Sequence, residues 1–198
     1  MSSKKYIVTG LSGLLGSHFK ARCEGSCDLI PLDLGSGVDV TNSAQVEALL
    51  GKHADANAVL HLAAFTDVSA ASAERGDKDS LCYQLNVTGS ENVARSAERH
   101  GLHLVHVSTD FVFDGAKEEG EYFEDDLPHP IEWYGETKFL AEEKVRGSGV
   151  SATIMRTAFP YFCGEGVRKD MVGNMREKLA SGEKLKLFDD QVITATFG

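Results

Sequence analysis

Apolar residues recur along this chain in two alternating rhythms, short unbroken runs and longer stretches spaced by three or four. The runs Tyr6 to Thr9, Leu29 to Leu32, Ala58 to Leu62, Leu102 to Val107 and Ala152 to Arg156 have strand length and are almost continuously apolar. That is the pattern of strands covered on both faces. Between them, Leu14 to Cys23, Ala44 to Leu50, Leu81 to Arg99 and Tyr134 to Val145 carry helical spacing. The alternation predicts an α/β fold built on a doubly wound parallel sheet. Asn42 or Ser43 is placed to cap the second helix, and Gly51 and Gly101 stand where helices end and a left-handed residue costs little. Beyond Arg156 the spacing predicts a helix over Met171 to Ala180 and a short strand over Leu185 to Phe188.

The segment between Phe113 and Tyr134 breaks this rhythm. It holds Gly115, Gly120, Pro128 and Pro130 with the acidic cluster Glu118, Glu119, Glu121, Glu124, Asp125 and Asp126. Turn chemistry dominates there, as a solvated loop or as a lid over a site at the strand ends. The length of 198 residues suits one domain, or one domain and part of another. We expect residues 1–160 to form the sheet domain and residues 161–198 to begin a truncated second region.

Charge and composition narrow the function classes. A net charge of −10 argues against sequence-independent nucleic-acid binding, which needs clustered Lys and Arg. No apolar stretch approaches the roughly 18 residues of a membrane span, and Met1-Ser2-Ser3-Lys4-Lys5 leads directly into a strand, so a soluble cytoplasmic protein without membrane contact is expected. Cys23, Cys27, Cys82 and Cys163 are too scattered for a disulfide framework. Cys23 and Cys27 are expected on one helix face, yet no second pair completes a zinc site, so buried free thiols and no metal are expected.

Gly10, Gly13 and Gly16 follow the first strand and open the first helix, with Ser12, Leu14 and Leu15 between them. In that context the first glycine allows a tight turn, the second admits a pyrophosphate to backbone N–H groups, and the third lets helix and strand pack closely. The helix end adds a favourable field for phosphate. Asp33 closes the second strand 23 residues after Gly10, where a carboxylate can accept both ribose hydroxyls of an adenosine. These features predict a nicotinamide dinucleotide in a Rossmann fold. Leu34, Gly35, Ser36 and Gly37 offer no cation to a 2′-phosphate, so NAD(H) is favoured, with NADP(H) the alternative. Asp39 and Val40 are placed to contact adenine, Asp39 being equally placed to cap a helix.

Tyr134 and Lys138 lie four apart and so share a helix face, where the ammonium is expected to lower the phenol pKa. Thr109 stands at the carboxyl end of the fourth strand, beside the expected crevice. His61 reads as a satisfied core histidine, His103 and His106 as facing opposite sides of a strand, and His100 as lying near a helix C-terminus.

Thr9-Gly10-Leu11-Ser12-Gly13-Leu14-Leu15-Gly16, Val59-Leu60-His61-Leu62-Ala63-Ala64, Asn86-Val87-Thr88-Gly89, Ser108-Thr109-Asp110-Phe111-Val112-Phe113-Asp114-Gly115 and Tyr134-Gly135-Glu136-Thr137-Lys138 are five motifs spread over nearly the whole chain. Together they resemble the extended short-chain dehydrogenase/reductase family, and the fourth is similar to its dTDP-4-dehydrorhamnose reductase branch. The resemblance implies a catalytic set of Thr109, Tyr134 and Lys138. It also implies that Ala63, Ala64 and Thr66 line the cofactor, that Thr109 polarises a ketone, that Lys138 holds the nicotinamide ribose, and that Tyr134 is among the cofactor-binding residues. The implied reaction is reduction of the C4 ketone of a 6-deoxy-4-keto nucleotide sugar, and a homodimer is compatible with it. Glu132 and Trp133 replace the branch's usual residues before the tyrosine, Phe159 stands where a Trp is common, and Asp189 to Thr196 is an eroded form of another segment. The family continues for roughly a further third of its length. A nucleotide-sugar epimerase or dehydratase, or a non-catalytic cofactor-binding regulatory subunit, shares many of these features.

Overall fold

The computed structural model describes residues 3–117, 120–162, 169–187 and 194–197. Strands β1 (Lys4–Thr9), β2 (Cys27–Leu32), β3 (Ala58–His61), β4 (Leu104–Thr109) and β5 (Ala152–Thr157) form one sheet in the order β2-β1-β3-β4-β5. Every pairing in it is parallel. The chain leaves β1 toward β2 on one side and returns to β3 on the other. That reversal opens a crevice beyond the carboxyl ends of β1 and β3, where ligands bind in such sheets.

Helices α1 (Leu14–Cys23), α2 (Ser43–Lys52), α3 (Val68–Ala73), α4 (Leu81–Tyr83), α5 (Gly89–Arg99), α6 (Trp133–Gly147) and α7 (Met171–Ala180) connect or follow these strands. One sheet face packs Ile7, Val59 and Leu104 against Val46 and Leu50 of α2, Val93 and Ala97 of α5, and Val145 of α6. On the other face Phe19 of α1 meets Tyr6 edge-on, while Met155 of β5 remains 45% exposed. Cover on that face is therefore fuller at β1 than at β5.

The five strands and the main helices match the expected runs, and Asn42 is the cap of α2, accepting from the N–H groups of Ala44 and Gln45. Four expectations need correction. The helix expected over Leu81 to Arg99 is interrupted by a π-turn at Gln84–Thr88, which turns the buried Asn86 toward the loop after β3. Gly51 lies inside α2 rather than at a left-handed terminus, because the helix runs to Lys52 and ends at His53, whereas Gly101 does adopt φ +64. Cys23 ends α1 and Cys27 begins β2, so the two thiols share no helix face. Both are partly exposed, while Cys82 is buried. Leu185–Leu187 forms no strand and Leu187 is exposed; a small parallel pair forms instead between β6 (Pro160–Tyr161) and β7 (Thr196–Phe197). Cys163, Glu118, Glu119, Phe188 and the Asp189 to Ile193 part of the eroded segment lie outside the described residues. Helix α3, capped by Asp67, is an addition to the expected elements.

Among the described residues, no helix is long and apolar enough to cross a membrane. The acidic loop is tied by its own charges. Asp114 accepts hydrogen bonds from the Tyr122 hydroxyl (2.6 Å) and the Ala116 N–H (3.0 Å) and meets His129 Nδ1 (2.9 Å). Lys117 pairs with Asp126 at 2.8 Å.

Candidate active site at the carboxyl edge of the sheet

The glycine turn is shaped by close backbone approach. Gly10 adopts φ +65, and a Cβ there would lie 2.8 Å from the backbone of Ala63. The Gly13 N–H donates to the Gly10 carbonyl at 2.9 Å, and Gly13 caps α1 with no side-chain hydrogen bond to the helix N–H groups. A Cβ at Gly16 would collide with the Gly10 carbonyl and with Leu11. The result is a helix N-terminus beside the crevice with no side-chain cap on its amides, a favourable setting for an anion.

Gly10, Ser12, Gly13, Asp33, Asp39, Val40, Ala63 and Ala64 line one crevice of about 250 Å³. Of the other expected cofactor residues, Leu14, Leu15 and Gly16 form the first turn of α1 behind this lining, and Thr66 is exposed on the loop after β3. Val38 and Leu85 also line the crevice. Leu85 lies on the π-turn, which a helical period in the sequence does not announce.

Asp33 makes a reciprocal cap with Ser36. Its Oδ1 accepts from the Ser36 N–H, and its own N–H donates to Ser36 Oγ, both at 3.1 Å. This holds the carboxylate at the end of β2. Asp39 accepts from both the N–H (2.9 Å) and the hydroxyl (2.8 Å) of Thr41. The helix-cap alternative for Asp39 is thus overturned, since Asn42 occupies that position.

The Thr9 hydroxyl oxygen accepts from the Leu62 and Ala63 N–H groups at 3.0 Å each. It also meets His61 Nδ1 at 2.7 Å, and His61 Nε2 meets Ser90 Oγ at 2.9 Å. His61 is therefore a satisfied core histidine that braces the crevice floor.

Thr109 hydrogen-bonds with Tyr134 at the carboxyl end of β4, and Lys138 is tied to the same strand two residues earlier, at Val107. Glu132 caps α6, accepting from the Tyr134 N–H at 2.8 Å and the Gly135 N–H at 2.6 Å. A side chain at Gly135 would strike the Phe111 carbonyl, so glycine lets the helix start dock on the turn after β4. Phe111 meets the Tyr134 ring edge-on, with centroids 5.8 Å apart. Lys138 is buried, and its Nζ donates to the Val107 carbonyl at 2.7 Å. Asn86 links the surrounding pieces: it bonds the Phe65 N–H (2.8 Å) and carbonyl (3.2 Å), and its amide donates to Thr137 Oγ1 at 2.9 Å.

Electrostatics correct one expectation. Burial pushes the Tyr134 phenol up to about 12; hydrogen bonding with Thr109 opposes this, and the fields of Glu132, Asp110 and Cys82 reinforce it. The expected lowering by Lys138 does not appear: the group that lowers the phenol is Thr109, through its hydrogen bond, and desolvation outweighs it. Lys138 itself is brought down to about 8 by burial, against the opposing fields of Glu142 and Cys82.

Burial also depresses both core histidines, His61 to about 3 and His106 well below its ordinary value. Neither ring nitrogen of His106 has a hydrogen-bond partner among the described residues. The unfolded chain binds protons at these rings below about pH 6.5 while the folded chain does not, so stability is full above that value and falls with acidification. The decline for His61 continues toward its folded pKa of about 3. Each ring contributes a slope of up to about 1.4 kcal/mol per pH unit. Urea unfolding at successive pH values should therefore be less acid-sensitive in His106→Leu than in the wild type. Parallel pH curves would contradict this.

A family model described as the RmlD substrate binding domain matches residues 4–198. The chain is 35% identical over 98% of its length to a dTDP-4-dehydrorhamnose reductase of Mycobacterium tuberculosis, and spans 62% of that relative. Among solved structures it is similar to a dTDP-4-dehydrorhamnose reductase ortholog of Clostridium acetobutylicum, with 32% identity and a TM-score of 0.83 over 98% of this chain and 65% of that one. A dTDP-4-dehydrorhamnose reductase of Bacillus anthracis in complex with NADP gives 31% identity and a TM-score of 0.79 over 91% of this chain and 61% of that one.

Proposed function

Because the chain belongs to the RmlD substrate-binding-domain family, we propose that it works as an NAD(P)H-dependent reductase of a 4-keto-6-deoxy nucleotide sugar. The observation that carries this reading is the hydrogen bond between Thr109 and Tyr134 at the end of β4, with Lys138 four residues further along α6 and bonded to the Val107 carbonyl of the same strand. The glycine turn, its uncapped helix end and the Asp33 carboxylate fit a dinucleotide. In this reading residues 1–160 hold the cofactor and residues 161–198 begin the sugar-binding part.

A nicotinamide dinucleotide held by Gly10, Gly13 and Asp33 would supply the hydride for the ketone carbon. Thr109 donates a hydrogen bond to the ketone oxygen as negative charge gathers there. Tyr134 gives its proton to the new alkoxide. A phenol held near 12 stays fully protonated at neutral pH and is still far more acidic than an alcohol, so the transfer runs downhill. Lys138, anchored on the Val107 carbonyl, stabilises the phenolate left behind and reaches the ribose hydroxyls.

Asp33 supports a preference for NADH. Its carboxylate lines the crevice at the end of β2 and would repel a 2′-phosphate there, and Leu34 and Gly35 beside it bring no cation. The test incubates the chain with NADH or NADPH and a 4-keto-6-deoxy nucleotide sugar, following cofactor absorbance and product. Sugar-dependent NADH oxidation is expected, with NADH bound about tenfold or more tighter than NADPH, roughly 1.4 kcal/mol. Retained NAD⁺ without net NADH consumption would point instead to an epimerase, and binding without turnover to a regulatory subunit. Tighter NADPH binding would refute the role given to Asp33.

A further inference from the structure

Glu142 lies one helical turn beyond Lys138 and is 0% exposed. A lone buried carboxylate is costly, and this one is surrounded by donors. Ser108 Oγ donates to its Oε1 at 2.6 Å. Arg156 Nε and NH2 reach its two oxygens at 2.9 and 2.8 Å, and Arg146 adds a bond at 2.9 Å. Burial pushes the Glu142 carboxyl up, yet the hydrogen bonds from Arg156 and Ser108 outweigh it and leave the carboxyl below its usual range.

The placement of these partners matters more than their number. Ser108 and Arg156 are register partners across β4 and β5. Val107, immediately before Ser108, accepts the Lys138 ammonium. Two consecutive residues of β4 are thus bonded to two consecutive turns of α6, directly before Thr109. Arg156 extends the connection to the acidic loop, over the Phe113 ring at 5.0 Å and to the Glu124 carbonyl at 3.4 Å. Apolar residues of similar volume hold two elements together as well as a buried ion pair does, or better. A buried pair is instead directional, and fixes a register that apolar packing leaves free to slide.

We propose that Glu142 is a positioning residue: by locking the end of β4 to α6 it sets Thr109 against Tyr134 and Lys138. The proposal rests on the reductase reading for its kinetic consequence, but not for its effect on Lys138. The groups facing that ammonium are Glu142 on its own helix, Cys82 on α4, His61 on β3 and His106 on β4. Among them Glu142 is the carboxylate that favours the charged lysine. Its loss therefore moves Lys138 deprotonation to lower pH.

The test compares Glu142→Gln and Glu142→Asp with the wild type in the full chain. Glu142→Gln should keep NADH affinity and KM within about twofold while kcat falls between about 10- and 100-fold, the scale of a small misplacement of reacting groups. The alkaline limb of its kcat profile should move to lower pH, and the Lys138 Nζ titration followed by NMR should move with it. Glu142→Asp keeps the charge and shortens the reach, so kcat falls while the Lys138 titration stays near the wild type. Unchanged kcat in Glu142→Gln, or a loss with the Lys138 titration unmoved, overturns the proposal. If Glu142→Gln does not fold, wild-type kcat in Glu142→Asp does the same. Should the wild type show no turnover, the reductase reading fails separately, and the Lys138 titration in the two variants still decides for or against the Glu142 interaction.

Discussion

Tyr134→Phe should bind NADH as the wild type does and lose about 10² to 10⁴ in kcat, the usual contribution of a positioned acid. The substitution removes one hydroxyl and leaves the ring, whose edge contact with Phe111 holds that part of α6 in place. Tyr134 N–H still caps on Glu132, and Lys138 still reaches the Val107 carbonyl, so the helix start and the lysine keep their positions. The crevice residues Gly10, Gly13 and Asp33 lie on other elements and are untouched. What is lost is the proton donor and, with the same hydroxyl, its hydrogen bond with Thr109. NADH titration by fluorescence, alongside kcat with saturating sugar, separates the two quantities. Wild-type turnover would remove Tyr134 from the chemistry, and a parallel loss of NADH affinity would make it a cofactor ligand first.

The pH dependence of the wild type follows from the same geometry. Lys138, brought down to about 8, loses its charge as pH rises through that value, whereas Tyr134 keeps its proton until about 12. If the chain turns over as proposed, the alkaline limb of its kcat should therefore follow the lysine rather than the tyrosine. This inverts what the four-residue spacing alone suggests. Spacing shows that an ammonium and a phenol share a helix face, but the direction of a pKa shift depends on how deeply both are buried. For Tyr134 that includes its contact with Phe111 and its packing against the cluster of Ala71, Cys82 and Trp133.

Other features divide along the same line. The sheet was legible because its strands are continuous apolar runs, and the glycine turn because three glycines at a strand-to-helix junction leave few other uses. Asp33 was legible by its place at the end of β2. The π-turn at Gln84–Thr88 was not, since nothing in a helical period announces an extra residue, and with it Leu85 and the tertiary bonds of Asn86 stayed hidden. Glu142 reads in sequence as one more charge on an amphipathic helix, because its partners Ser108 and Arg156 are contributed by two strands distant along the chain. Hydrophobicity alone predicts a strand over Leu185 to Phe188, but a strand needs an edge to pair with, and its described part finds none.

Gly10→Ala should cost roughly 3 kcal/mol of stability and abolish measurable NADH binding. Two effects add at this position. An alanine at φ +65 carries a left-handed penalty of about 1–2 kcal/mol. Its Cβ would also stand 2.8 Å from Ala63 N and Cα, and overpacking of that kind costs about 1–3 kcal/mol. Backbone on both sides leaves no side chain to rotate away, so β1 and the loop after β3 must separate. The separation strains the bonds from the Leu62 and Ala63 N–H groups to Thr9 and reshapes the crevice those residues line. Gly25→Ala isolates the first effect, because Gly25 has φ +75 and no atom within 4 Å of a Cβ. That variant should lose only about 1–2 kcal/mol and bind NADH normally. Urea unfolding and NADH titration of both proteins measure the difference. Equal stability losses with intact binding in Gly10→Ala would mean that close approach of backbone, rather than the turn alone, has no part in forming the site.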